Sequence, residues 1–172
     1  MATRRNIVWF RRDLRISDHP ALVAAIENSD EIVPVFILDK TQITEAGAKL
    51  LAYMGQSLRA LDESLGNKLH IIEGDQVEVL KELIELYGAT EVHISTEYER
   101  YGAERDVRVE KAGINLIRTG SPYAVAPGRV VKPSDGTPYR VYTPFYRAWC
   151  VHGWRAPAKT PKEIKAPTPP AK

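Results

Sequence analysis

The sequence predicts an α/β protein: a five-stranded, mainly parallel, Rossmann-like sheet with helices on both faces. Two observations carry that reading. Short runs rich in Ile, Val, Leu and aromatic residues alternate with segments of helical period, the pattern of βαβ crossovers. The 172 residues also suffice for one core and a tail, but not for two full cores.

Residues 6–10, 31–38, 69–73, 91–95 and 115–118 read as strands, because each is short, apolar and suited to burial on both faces. The first crossover helix is expected to start at Asp18, whose carboxylate would cap it, with Pro20 already holding a helical φ. A long helix is expected over 45–65, where Leu51, Met54, Leu58, Leu61 and Leu65 step by three and four along one face. Val77, Leu80, Leu83, Ile84 and Tyr87 repeat that period, and Gly88 stands where a left-handed C-terminal residue belongs. The charged segment 99–112 reads as a further helix, ended by Gly113. Beyond it, Asp135-Gly136 between Val130-Val131 and 139–142 suggests a hairpin. From Pro157 the chain holds five prolines and four lysines with little to bury, so it reads as an extended linker. The expected division is a domain at 1–149 and a linker at 150–172.

Several functions are disfavoured. The apolar run 32–38 has seven residues against the roughly 20 that cross a bilayer, and 7–10 is too short for a secretory core, so a cytoplasmic protein is expected. One cysteine, Cys150, forms no internal disulfide and reads as a packing residue, and the four scattered histidines suggest no metal site. A formal charge of +2 names no nucleic-acid face by itself. Neither G-x-G-x-x-G nor G-x-x-x-x-G-K-[ST] occurs, which removes the two familiar phosphate cradles, and no G-x-S-x-G elbow is present.

Ligands of open parallel sheets collect outside the carboxyl ends of the strands, so the loops after residues 10, 38 and 95 are the candidate site. The first packs Arg11, Arg12, Asp13, Arg15 and Asp18 together. These charges serve either as a clamp on the crossover or as ligand contacts. The second opens with Asp39, and the third presents Glu97, Tyr98, Glu99, Arg100 and Tyr101. Rings flanked by acids and arginines suit a flat aromatic ligand; the alternative is a solvated rim. Trp149 and Trp154, at the edge of the domain, suggest a docking surface.

VWFRRDLRISDHPAL at 8–22 resembles the opening motif of the DNA photolyase and cryptochrome family. The likeness continues through VPVFILD (33–39), SLRALDESL (57–65), EYERYGAERD (97–106), APGRV (126–130) and DGTPYRVYTPFYRAW (135–149). It implies the N-terminal α/β domain of that family, which binds a light-harvesting antenna chromophore. It also implies partners outside this sequence: a C-terminal helical domain that binds FAD, and damaged DNA. In photolyases, electron transfer from excited reduced flavin splits cyclobutane pyrimidine dimers, so this chain alone is expected to be catalytically silent. The parent could instead be a cryptochrome blue-light receptor, or the chain a free-standing nucleotide-binding domain. Carried over by motif, the antenna pocket comprises Arg12, Phe36, Leu38, Asp39, Glu97, Tyr98 and Glu99, with Arg11 and Tyr53 as weaker members. Family members that bind methenyltetrahydrofolate often have Asn-Glu where this chain has Tyr101-Gly102. A family arginine of the second helix falls near Leu50, with Lys49 as a substitute. The first departure favours a deazaflavin or flavin antenna, with methenyltetrahydrofolate as the alternative, and the second counts against assigning any one dye.

Overall fold

The computed structural model describes residues 3–170; the outer ends of the two expected ranges, 1–2 and 171–172, lie outside the described residues. Eleven elements follow in chain order: β1 (Arg5–Phe10), α1 (Pro20–Glu27), β2 (Glu31–Leu38), α2 (Lys40–Glu45), α3 (Ala48–Ser64), β3 (His70–Glu73), α4 (Gln76–Tyr87), β4 (Ala89–Ile94), α5 (Arg100–Lys111), β5 (Leu116–Arg118) and α6 (Tyr142–His152). The five strands form one parallel sheet in the order β3-β2-β1-β4-β5. Strand order therefore reverses beside β1, which opens a crevice at the carboxyl ends of β1 and β4.

Alternation along β1 and β2 builds two cores. Ile7, Trp9, Val33, Val35 and Ile37 meet Val79, Leu80 and Leu83 of α4 and Val109 of α5 on one face. Val8, Phe10, Ile32 and Phe36 meet Leu22 of α1 and Leu58 and Leu61 of α3 on the other. Since both faces are covered, odd and even positions are equally apolar, and the strands read as continuous runs. Each fully buried Leu or Phe adds roughly 1.5–3 kcal/mol, which fixes the sheet as the rigid support of its loops.

Local departures from expectation have identifiable causes. Asp18 does not cap α1: His19 does, its Nδ1 accepting the Leu22 N–H at 3.1 Å. Asp18 adopts φ 46°, and its carboxylate turns to the tail, accepting from Arg155 at 2.6 Å and from the Ala158 amide at 2.8 Å. The expected helix 45–65 is α3, which starts three residues later because Ala46 is extended at ψ 132° and Gly47 is its cap; the short α2 before it was not expected. Gly88 does end α4 in the left-handed region, at φ 62°. Of the expected hairpin only a single antiparallel bridge, Val131 to Pro138, forms. The aromatic residues read as its second strand lead into α6, whose third residue is Pro144, at a position where no helical amide is lost. Cys150 lies exposed on that helix instead of packing. Residues 153–170 hold no helix or strand. Part of this tail lies on the sheet: the Ile32 amide donates to the Lys165 carbonyl at 2.9 Å, and Ile164 packs against the α1/α3 core.

Candidate functional site

The crevice at the order reversal is a cleft of about 220 Å³. Trp9 and Phe10 at the end of β1, with Phe36 and Ile37 of β2, form its apolar walls. Its polar residues come from three loops and two helices: Arg11, Arg12, Asp39, Gln76, Glu97, Glu99, Tyr101 and Arg105.

Arg11 is a clamp. Its side chain is 7% exposed, donates to Asp106 of α5 at 2.6 Å and to the Ser95 carbonyl, and lies 5.2 Å from the Trp9 ring centre. Arg105 covers the same ring at 4.9 Å and also binds Asp106, at 3.0 Å. Burial and the neighbouring Arg105 pull Arg11 below the ordinary arginine value, against the opposing pull of Asp106. Behind it, burial penalises an ionised Asp13. The nearby His19, 3.1 Å away, and the Ser95 hydroxyl outweigh that penalty and hold the carboxyl well below the usual range.

Arg12 reaches outward. It is half exposed, pairs with Glu99, and lies 3.6 Å from Glu97 Oε1. Donating a hydrogen bond to the Glu99 carboxylate raises the guanidinium above the ordinary arginine value. Asp39 serves two structures at once. Oδ1 caps α2 by accepting the Thr41 amide at 3.0 Å, while Oδ2 accepts from Gln76 at 2.8 Å and from the Tyr101 hydroxyl. Burial and the Asp39 carboxylate push the Tyr101 phenol up, so it is a donor throughout the physiological range.

Glu97 is the unusual member. Its side chain is only 5% exposed, yet Oε1 is buried without a hydrogen-bond partner among the described residues. With only the long ion pair to Arg12 at 3.6 Å to offset it, a buried carboxylate oxygen of this kind is costly unless a nearer donor completes it. Gly102 makes the arrangement possible. A Cβ there would sit well inside van der Waals contact of Glu97 Cγ, so any larger residue would displace the acid.

The structure thus brings Arg11, Arg12, Phe36, Asp39, Glu97 and Glu99 to one cleft. Three other expected residues lie elsewhere. Leu38 packs against the α1/α3 core. Tyr53 projects from α3 and is 69% exposed. Tyr98 points to a second crevice, edge-on to Tyr123 at 6.0 Å and near Trp154. Trp9, Gln76 and Arg105 were not among the expected pocket residues, and Tyr101 and Gly102 entered the expectation as loop residues and as a departure from the folate-binding pattern, not as pocket members. The spacing of Tyr101 and Arg105, four apart on a helix, was the available signal. Nothing local marked Gln76. Among the described residues no cluster of His, Cys, Asp and Glu suits a metal, and no helix is long and apolar enough to cross a membrane.

The family model for DNA photolyase matches residues 6–167. A deoxyribodipyrimidine photo-lyase of Streptomyces griseus is 34% identical over 94% of this chain and 38% of its own length. Among solved structures, a bacterial class III photolyase from Agrobacterium tumefaciens superposes with a TM-score of 0.83 at 33% identity, covering 100% of this chain and 37% of that one. An archaeal photolyase from Sulfolobus tokodaii, described with two FAD molecules and a novel light-harvesting cofactor, shares the fold with a TM-score of 0.77 at 23% identity, over 96% of this chain and 38% of that one. The chain spans little more than a third of the length of these relatives.

Proposed function

Because the chain belongs to the DNA photolyase family and corresponds to its N-terminal α/β domain, we propose that the cleft beside β1 holds a planar antenna chromophore. The observation that carries this reading is the buried, uncompleted Glu97 Oε1 in a cleft walled by Trp9, Phe10 and Phe36. Such a site fits a flat heteroaromatic ring whose edge bears an N–H donor. Phe36 and Trp9 would flank the ring, Glu97 would accept from its edge, and Arg12 and Glu99 would frame the mouth. Asp39 would stand at the rim, bonded to Gln76 and Tyr101. Arg11 would act from behind as a positioning residue. Leu38, Tyr53 and Tyr98 would be peripheral.

A deazaflavin or flavin suits the site better than methenyltetrahydrofolate. An acidic side chain at 102 would evict Glu97, so the extra acid common in folate-binding members has no place here. When bound, such a dye absorbs light and passes excitation by dipolar coupling to a flavin. The rigid sheet would supply the fixed distance and orientation that coupling requires. In the whole protein that flavin would be FAD in a C-terminal helical domain, and the substrate would be cyclobutane pyrimidine dimers in DNA. The exposed stack on α6 suits the seat of that domain: Tyr142 on Tyr146 at 5.7 Å, Tyr146 on Trp149 at 6.4 Å, and Trp149 on Trp154 at 4.7 Å.

The test is titration of the purified chain with 8-hydroxy-5-deazaflavin, FMN and methenyltetrahydrofolate, followed by dye fluorescence anisotropy. The expected result is binding of the deazaflavin or FMN, weakened about tenfold or more by Glu97→Gln, as for loss of a charge-assisted hydrogen bond. No response to any of the three dyes would defeat the reading.

A further inference from the structure

Pockets that enclose ligands of this size usually measure about 300–1,000 Å³. The cleft here is about 220 Å³, so it encloses a tricyclic ring in full only if part of the wall moves. Most of the wall is fixed. Phe10 is fully buried in β1, and Trp9 is held between the guanidinium groups of Arg11 and Arg105, both tied to Asp106. Gln76 is buried and bonded to both Asp39 and Arg108. Arg12 and Glu99 stand exposed at the mouth and pair with each other, and Tyr101 is the one ring of the lining held loosely: it is 44% exposed, and a single side-chain hydrogen bond, to Asp39, holds its hydroxyl.

That bond joins the cap of α2 to the first turn of α5, residues 62 apart in sequence, across the end of β1. Asp39 is the stationary partner, since its carboxylate also caps α2 and accepts from Gln76. We propose that Tyr101 is the gate of the cleft: its ring swings out to admit the chromophore and closes again onto Asp39 to retain it. This rests on the reading of the cleft as a chromophore site. A half-exposed phenol exchanges an acceptor for water at little net cost, so an open minor state is thermally accessible. A gate of this kind slows entry and exit together and leaves equilibrium affinity nearly unchanged.

Two measurements test the gate. The first needs no dye. The chain has three tryptophans, so a Trp149→Phe/Trp154→Phe background leaves Trp9, in the cleft wall, as the sole indole. Acrylamide quenching of Trp9 should be weak in that background and rise at least threefold with Tyr101→Phe. The second is stopped-flow binding of FMN or 8-hydroxy-5-deazaflavin, in which Tyr101→Phe should speed association and dissociation at least fivefold with less than a threefold change in Kd. Unchanged quenching in Tyr101→Phe overturns the gate. So does an opening produced by Arg12→Gln in its place. If none of FMN, 8-hydroxy-5-deazaflavin and methenyltetrahydrofolate binds the parent chain, the chromophore reading fails, while the quenching result still decides whether Tyr101 closes the cleft.

Discussion

At the scale of single residues, the site depends on pairs in which one side chain makes room for, or charges, another. Gly102 exists so that Glu97 can fold beneath the first turn of α5, and His19 serves as both the cap of α1 and the neighbour of a buried Asp13. The Asp13 pairing has a pH consequence. Its carboxyl titrates lower in the folded chain than the value of about 3.9 expected when unfolded, so ionisation favours folding. The stabilisation is fully present above the unfolded value and is lost as pH falls below it toward the folded one. Thermal melts between pH 7 and pH 2 should therefore show a steep acid decline in the parent chain and a shallower one in Asp13→Asn. Parallel declines would remove Asp13 from the account.

At the scale of elements, the tail matters more than its composition suggests. Proline and lysine dominate it, yet Ile164 reaches the α1/α3 core, and Lys68 donates to the Ala166 carbonyl at 3.1 Å and to Thr168 at 3.0 Å. Ile164→Ser should cost about 1 kcal/mol through lost apolar burial, a fall in Tm of roughly 2–4 °C for a domain of this size. An unchanged melt would show that the tail is not engaged in solution. The same contrast explains what the sequence concealed. One isoleucine among prolines carries no period, so its docking was illegible, whereas the stripes of α3 and α4 repeat often enough to be read. The start of α6 was misread because Tyr139, Val141 and Tyr142 have strand-like side chains, and the helix that follows buries none of its residues to mark a face.

At the scale of the whole molecule, strand order makes the site. Residues near positions 12, 39, 76 and 97 meet because β1 lies between β2 and β4, and the loops after β1, β2 and β4 were legible as candidates from that general rule. Which side chains within those loops face inward was not legible, since Leu38 and Phe36 share a strand face and diverge only in packing, and Gln76 arrives from a helix start with no motif around it. The proposed division of labour between light capture and repair also belongs to this scale. The purified chain should neither retain FAD nor split thymine dimers under blue light, assayed by recovery of unmodified thymine. Measurable repair would place chemistry within this sheet.

The short third strand leaves one further mark. β3 pairs with β2 only from Val35 to Leu38, so Ile32 would present a bare amide on the unpaired first half of β2, where Pro34 has none to offer and its carbonyl meets His70. The Lys165 carbonyl takes up the Ile32 amide there. Proteolysis just before residue 163 would uncover a template for strand addition between molecules, and the shortened chain would clump on concentration while its other half stayed intact.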